Sequence, residues 1–247
     1  MSVAVGPAAS PYRGRITAGL FAHLFKAVFK QHHRAMRPLL VPLIPEDAVV
    51  FDVGAHAGQY AKLFARLARR GRVYAIEPQS YARRILRTAI RFNRLRNVEI
   101  LPLALGAVQG TATLTIPVKA SGSYGFGLAH LGPHTRAGLA ETETVEVTTL
   151  DALAARLALT RLDFIKADIE GWEQAMVEGG RATLVRFKPA LLIELNQAHL
   201  NRAGGSVAAL WQVLTALGYR AYAGHPGGAA LDTPCEGDVL FLPTKKP

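Results

Sequence analysis

The stretch Asp52-Val53-Gly54-Ala55-His56-Ala57-Gly58 places an acid and two glycines directly after an apolar run. Gly54 permits a tight turn and close approach of the backbone to a ligand, and Gly58 lets a helix begin near the same ligand. A second acid, Glu77, ends the next apolar run. A carboxylate at that point can accept hydrogen bonds from both hydroxyls of a ribose. The spacing is D-x-G-x-x-x-G, whereas a dinucleotide fingerprint needs G-x-G-x-x-G to bring pyrophosphate onto a helix N-terminus. The turn therefore suits a ligand that carries a cation better than one that carries a diphosphate.

A second cluster, Asp168, Glu170 and Glu173, follows the apolar segment Leu162 to Ile169. Alternation sends Asp168 and Glu170 to one side if the chain is still extended there. Ligands of open α/β sheets sit beyond the carboxyl ends of the strands. Asp168 could hold an amino group of a ligand, coordinate a metal or orient a hydroxyl. Glu170 is the leading candidate for general base, with the alternative that Glu170 and Glu173 only serve the positive end of the following helix. Asp168, Glu194 and Asn196 could supply oxygen ligands to a divalent cation, but spacing across two strands does not make a metal site, and none is assigned. His56 draws its interest from its place in the turn, as a base or an acceptor contact. His130, His134 and His199 show no zinc spacing, and Ser121 and Ser123 lack a nucleophile elbow.

These residues need a scaffold that alternates strands and helices. Val49–Val53 reads as a buried strand, Gln59 to Arg69 as a helix, Arg72–Ile76 as a strand, and the segment from Tyr81 as a helix with an arginine stripe. Val98 to Leu105 reads as a third strand. The run predicts a parallel sheet with helices on both faces. Thr111–Val118 and Glu143–Thr149 then alternate as half-exposed strands around a Gly-, Ser- and His-rich insert, 119–138, expected to be a loop or lid. Alternation resumes with a helix capped by Asp151, a strand at Leu162–Ile169, a helix from Trp172, a strand at Pro189–Leu195, a helix at Val207–Leu217, and closing strands at Tyr219–Ala223 and Asp238–Leu242.

Length and composition agree with one α/β domain, 47–247, after an N-terminal helical extension and linker, 1–46. Pro38, Pro42 and Pro45 punctuate that linker as an extended segment. A single cysteine, Cys235, excludes an internal disulfide and suits a reducing cytoplasm. The net charge of +11 is uneven: between Arg66 and Arg96 only Glu77 opposes ten arginines. Such a face can be merely solvated, or it can attract nucleic acid or anionic lipid; without interleaved aromatics for base stacking, RNA is not favoured. Near the start, Leu20, Phe21, Leu24, Phe25, Val28 and Phe29 recur at helical spacing among Lys26, Lys30, Arg34 and Arg37. That segment is too short and polar to span a bilayer. It is expected to pack on its own domain or on a second copy, or to give peripheral membrane contact through residues 20–37.

Five stretches in order resemble the FkbM-type family of methyltransferases over roughly residues 48 to 200. They are Asp52–Tyr60, Ala75-Ile76-Glu77-Pro78, Thr149-Leu150-Asp151, Lys166–Glu173 and Lys188–Glu194. The first is shared by many methyltransferases; the order of all five is far more specific. The resemblance implies a Rossmann-like class I methyltransferase fold with a mostly parallel seven-stranded sheet. It implies S-adenosylmethionine, a sulfonium cation, as cofactor and a hydroxyl of a small molecule or sugar as acceptor. By the same resemblance Gly54, His56 and Gly58 line the methionine end, Glu77 holds the ribose and Ala104 lies near the adenine. Asp52, Ala55 and Asp168 complete the expected cofactor set, with Asp168, Glu170 and His56 as the catalytic candidates. His56 stands where the family commonly has asparagine and Trp172 where a small residue is usual, changes that touch acceptor choice rather than the glycines.

Overall fold

The computed structural model describes residues 18–117, 130–131 and 140–244. The chain begins with α1 (Ala18–Phe29), a 3-10 segment (His32–Met36) and α2 (Arg37–Leu40). There follow β1 (Val49–Val53), α3 (Gln59–Leu67), β2 (Arg72–Ile76), α4 (Ser80–Phe92) and β3 (Val98–Leu101). Next come β4 (Leu103–Leu105), β5 (Gly110–Pro117), β6 (His130–Leu131), β7 (Ala140–Thr148) and α5 (Leu150–Arg156). The remainder runs β8 (Phe164–Ala167), α6 (Glu173–Glu178), α7 (Arg181–Phe187), β9 (Ala190–Leu195), α8 (Gln197–Arg202), α9 (Val207–Ala216), β10 (Tyr219–Ala223), β11 (Ala230–Leu231) and β12 (Gly237–Pro243). The expected insert, with Ser121, Ser123 and His134, lies outside the described residues except for the short β6.

One sheet has the order β11-β10-β12-β9-β8-β1-β2-β3. β3, β2, β1, β8 and β9 are parallel neighbours, while β12 runs antiparallel to both β9 and β10. The expected Rossmann-like sheet is present with eight strands rather than seven. The extra one is β11, a two-residue edge strand that pairs only with Ala221 and Tyr222, too short to leave a pattern in the sequence.

Strands buried on both faces read as apolar runs, and parity divides them. Phe51, Val53, Ile165, Ala167, Leu191 and Ile193 enter one core with side chains of α5, α6, α7 and α9. Val50, Phe164, Leu192 and Leu240 enter the other, with Leu40, Leu63 and Phe64. Asp52 and Lys166 are in register on adjacent strands and share the parity of this second face, as do Asp168, Glu194 and Asp238 further along. Parity thus gathers five charged side chains at the carboxyl end of the sheet.

Several local expectations are corrected. The strand Val98–Leu105 is broken at Pro102, which has no N–H for the ladder. Leu103–Leu105 instead pairs in parallel with β7 in a second sheet, ordered β4-β7-β5-β6. The proline-punctuated linker is compact: Pro38 occupies the first turn of α2, where a missing N–H costs nothing. Asp151 does not cap its own helix. Thr149 does, accepting from the Ala152 N–H, while Asp151 accepts from the N–H groups of Ala182 and Thr183 and so caps α7. The helices α7 and α8, seven and six residues long, were not expected because so short a span shows little periodicity.

The N-terminal extension packs on the domain. Ala27 and Val28 of α1 bury against Tyr81, Ile85 and Ala89 of α4. Lys62, buried in α3, donates to the carbonyls of Ala27 and Lys30 and so satisfies the end of α1. Among the described residues no helix is long and apolar enough to cross a membrane.

Candidate functional site

The carboxyl ends of β1, β2, β8 and β9 open into a cavity of about 340 Å³. Strand register brings these ends level, Val53 opposite both Ile76 and Ala167. Its lining includes Asp52, Gly54, Ala55, His56, Glu77, Ala104, Asp168 and Glu170, eight of the nine residues singled out in the sequence. The ninth, Gly58, caps α3 with φ +82° and faces Leu86 behind the cavity wall.

The turn after β1 is built on positive φ angles. Gly54 has φ +77° and His56 +49°. A Cβ on Gly54 would stand 2.0 Å from the Asp168 carbonyl oxygen. The glycine therefore lets the loops after β1 and β8 touch, and this contact shapes one wall of the cavity. Beside it, the Glu77 carboxylate accepts the His56 N–H at 2.8 Å and the Gln79 N–H at 2.8 Å, one on each oxygen. Burial pushes its pKa up to about 7, with the two amides pulling the other way. The carboxylate is thus held rigidly against the cavity. Asp52 is fully buried and, among the described residues, neither oxygen completes a hydrogen bond, although the Ala61 amide and Lys166 favour its ionised form. Burial dominates and lifts it to about 6.

The other half of the cavity is more densely charged. Lys166 donates to Asp168 at 2.9 Å and lies 5.2 Å from the centre of the Tyr60 ring. Burial disfavours the Asp168 anion, but the Lys166 ammonium and a hydrogen bond from Glu194 outweigh it and hold its pKa below the usual range. Glu194, hydrogen-bonded to that anion, keeps its proton up to about 8. His33, from the 3-10 segment, stacks on Tyr60 with ring centres 4.1 Å apart and also lines the cavity.

Glu170 is not on an extended strand. The strand ends at Ala167, and Glu170 adopts φ +57° in the following turn. The next residue, Gly171, approaches the His199 carbonyl so closely that a Cβ would stand 2.2 Å from its oxygen. This contact brings His199 Nδ1 to 2.9 Å from Glu170 Oε2, with Arg202 at 3.8 Å. Burial first, then the neighbouring Asp168, raises Glu170 to about 7. Glu173 turns inward to accept from the Ile169 and Gly171 N–H groups, so it braces the turn. Asn196 caps α8 by accepting from the His199 N–H. Among the described residues no three His, Cys, Asp or Glu side chains are arranged to hold a metal ion.

Sequence reasoning gave no role to His33, Tyr60 or Lys166. A lysine inside an apolar strand was the available signal for Lys166, since burial of a lone ammonium is costly. Nothing marked His33. The second sheet also contributes, with Leu114 of β5 in the wall and Glu143 of β7 accepting from the N–H and hydroxyl of Ser80 at the start of α4.

Four acids of this site bind protons more tightly folded than unfolded: Asp52 (about 6), Glu77 and Glu170 (about 7) and Glu194 (about 8). Their contribution to stability is fully present below the unfolded carboxylate range and is lost as pH rises through these values. His33, whose pKa is lowered chiefly by burial, opposes the trend with one proton. The ligand-free protein should therefore show a falling melting temperature between roughly pH 5 and 8, read by differential scanning fluorimetry. A flat or rising profile would show that the four acids are not strained in this way.

A family model for the methyltransferase FkbM domain matches residues 52–221. The structure of a methyltransferase FkbM from Methylobacillus flagellatus aligns with a TM-score of 0.52 and 17% identity, covering 89% of this chain and 47% of that one. The chain thus spans about half the length of that relative. An O-methyltransferase from Bacillus cereus in complex with SAH aligns with a TM-score of 0.50 and 13% identity over 94% of each chain. At such identities the two structures speak for the fold alone. No curated protein sequence matches the chain significantly.

Proposed function

The chain belongs to the FkbM methyltransferase family, and from that premise we propose that it methylates a hydroxyl oxygen of a small molecule or sugar with S-adenosylmethionine as donor. The observation that carries this reading is Glu77, a buried carboxylate in the cavity lining that accepts one backbone amide on each oxygen and has acceptor capacity to spare. Two ribose hydroxyls would supply the donors that such a carboxylate lacks. Asp52, buried without a completed hydrogen bond, adds an unmatched acceptor in the same wall. The residues present therefore fit the nucleoside sulfonium.

In this reading Glu77 holds the ribose, the Gly54–Ala57 turn borders the methionine portion, and Leu103, Ala104 and Leu105 offer an apolar wall to the adenine. When bound, the cofactor supplies a methyl group on a sulfonium that departs as a neutral thioether. The protein's task is then to place an acceptor oxygen and take its proton. Glu170 is suited to that, since a pKa of about 7 leaves it able to receive a proton at neutral pH. His199 and Arg202 orient it. Asp168, kept ionised by Lys166, accepts from a second acceptor hydroxyl or from the cofactor's amino group. Protonated Glu194 and the Tyr60–His33 stack give the acceptor end a polar rim with aromatic surface, features that favour a polyol over an apolar ring.

Titration calorimetry with S-adenosylhomocysteine tests the assignment. The wild type should bind, and Glu77→Ala should bind about 10- to 100-fold more weakly, the cost of losing hydrogen bonds to a charged group. Absence of any heat of binding in the wild type would refute the reading. Mass spectrometry of a sugar and polyol panel should then show a methyl ether stable to mild base.

A further inference from the structure

The site just described uses neither face of the α1–α4 pair that points to solvent. Phe21, Phe25 and Phe29 recur every fourth residue along α1 and are 69%, 50% and 62% exposed; Phe92, at the end of α4, is 60% exposed. The Phe29 ring centre lies 5.0 Å from that of Phe25 and 5.1 Å from that of Phe92, so one apolar patch crosses both helices. Patches of large exposed side chains mark interaction surfaces, whereas single exposed ones do not. This one is held firmly outward. Beneath it Val28 is buried against α4, the Asn93 amide donates to the Val28 carbonyl, and Lys62 satisfies the end of α1.

The charged side chains carried by the two helices are all basic. Lys26, Arg84, Arg87 and Arg91 are exposed on these two helices, and Lys30 is exposed just after α1. Helical spacing sets Arg84 and Thr88 in the same row as Phe92. No acidic residue precedes Glu46, and none lies between Glu77 and Glu99.

We propose that α1 and α4 together dock the protein on a bilayer surface rich in anionic headgroups. The phenylalanines enter the boundary between headgroups and acyl chains, and the lysines and arginines pair with lipid phosphates. A second copy fits less well, because a two-fold contact would set this basic surface against itself. RNA also fits less well: the Phe29 and Phe92 rings pack edge to face on each other, and stacking on bases needs open ring faces.

Flotation of the full chain with vesicles tests the docking. It should float with vesicles of phosphatidylcholine and phosphatidylglycerol in equal parts, remain unbound with phosphatidylcholine alone, and be released as salt is raised. The double variant Phe25→Ser/Phe29→Ser should bind at least about tenfold more weakly with unchanged thermal unfolding. Arg84→Ser/Arg91→Ser, which leaves the apolar patch intact, should weaken binding and flatten its salt dependence. The proposal is overturned by any of four results: no flotation with the anionic vesicles at low salt; flotation indifferent to the phenylalanine variant; a wild-type dimer in light scattering that the phenylalanine variant converts to monomer; or mixed RNA bound through the arginines that competes with vesicles while the phenylalanine variant behaves as wild type.

Discussion

Gly54→Ala is expected to lose about 3 kcal/mol of stability or more, and to abolish binding of S-adenosylhomocysteine. Two costs add. An L-residue at φ +77° pays about 1–2 kcal/mol for its left-handed backbone. The larger cost is steric, because the new Cβ would stand 2.0 Å from the Asp168 carbonyl oxygen. That oxygen cannot swing aside freely. The Gly54 N–H is bonded to the Ile76 carbonyl and the Asp168 N–H to the Val53 carbonyl, so both loops are tied to the sheet. Relief requires the loops to part, and parting them opens the wall beside Glu77 and Asp168.

Gly58→Ala gives the contrast. Its φ of +82° carries the same backbone cost, but the Cβ would meet the far end of the buried Leu86 side chain, which yields more readily than a carbonyl tied to the sheet. Its loss should stay near about 1–2 kcal/mol with ligand binding retained. Urea unfolding with calorimetry on both variants separates the two glycines. Equal tolerance of alanine at 54 and 58 would show that the Gly54–Asp168 contact is not rigid.

Glu170→Gln is expected to lower turnover about 100- to 1000-fold while leaving cofactor affinity unchanged. The amide keeps the size of the side chain and its place beside His199, but it cannot take a proton. Wild-type turnover should rise with pH through about 7, because only the ionised carboxylate is a base and burial holds its pKa there. Arg202→Gln removes a cation that favours the Glu170 anion, so the rising limb should move to higher pH while the maximum changes less. A Glu170→Gln enzyme with normal turnover would exclude Glu170 as base and leave Asp168 and His56, both in the cavity lining, as the candidates. A turnover defect matched by weaker cofactor binding would instead point to a collapsed turn.

The elements that hold this site were readable where local chemistry and burial agree. Val49–Val53 and Arg72–Ile76 appear as strands with the expected bounds, because strands covered on both faces must be continuously apolar. The break at Pro102 was written in the sequence too, but where the freed residues Leu103–Leu105 would go was not; their partner, β7, lies some forty residues on. The aromatic stripe of α1 was equally visible, yet spacing could not divide it. Val28 turned inward and Phe25 outward only because α4 covers one side of the helix.

The chain by itself determined the chemistry at the strand ends: an acid near the end of one strand with two glycines after it, an acid after the next, and a third acidic group after the strand that follows the insert. Glycine backbone freedom and carboxylate basicity are local properties, which need no knowledge of distant residues. The tertiary structure alone decided which charges meet. Strand register set Lys166 beside Asp52, the left-handed turn at Glu170 delivered it to His199, and the packing of the N-terminal segment brought His33 onto Tyr60. Such pairings depend on long-range geometry, and the electrostatic balance that decides each proton's place exists only once burial has removed the water.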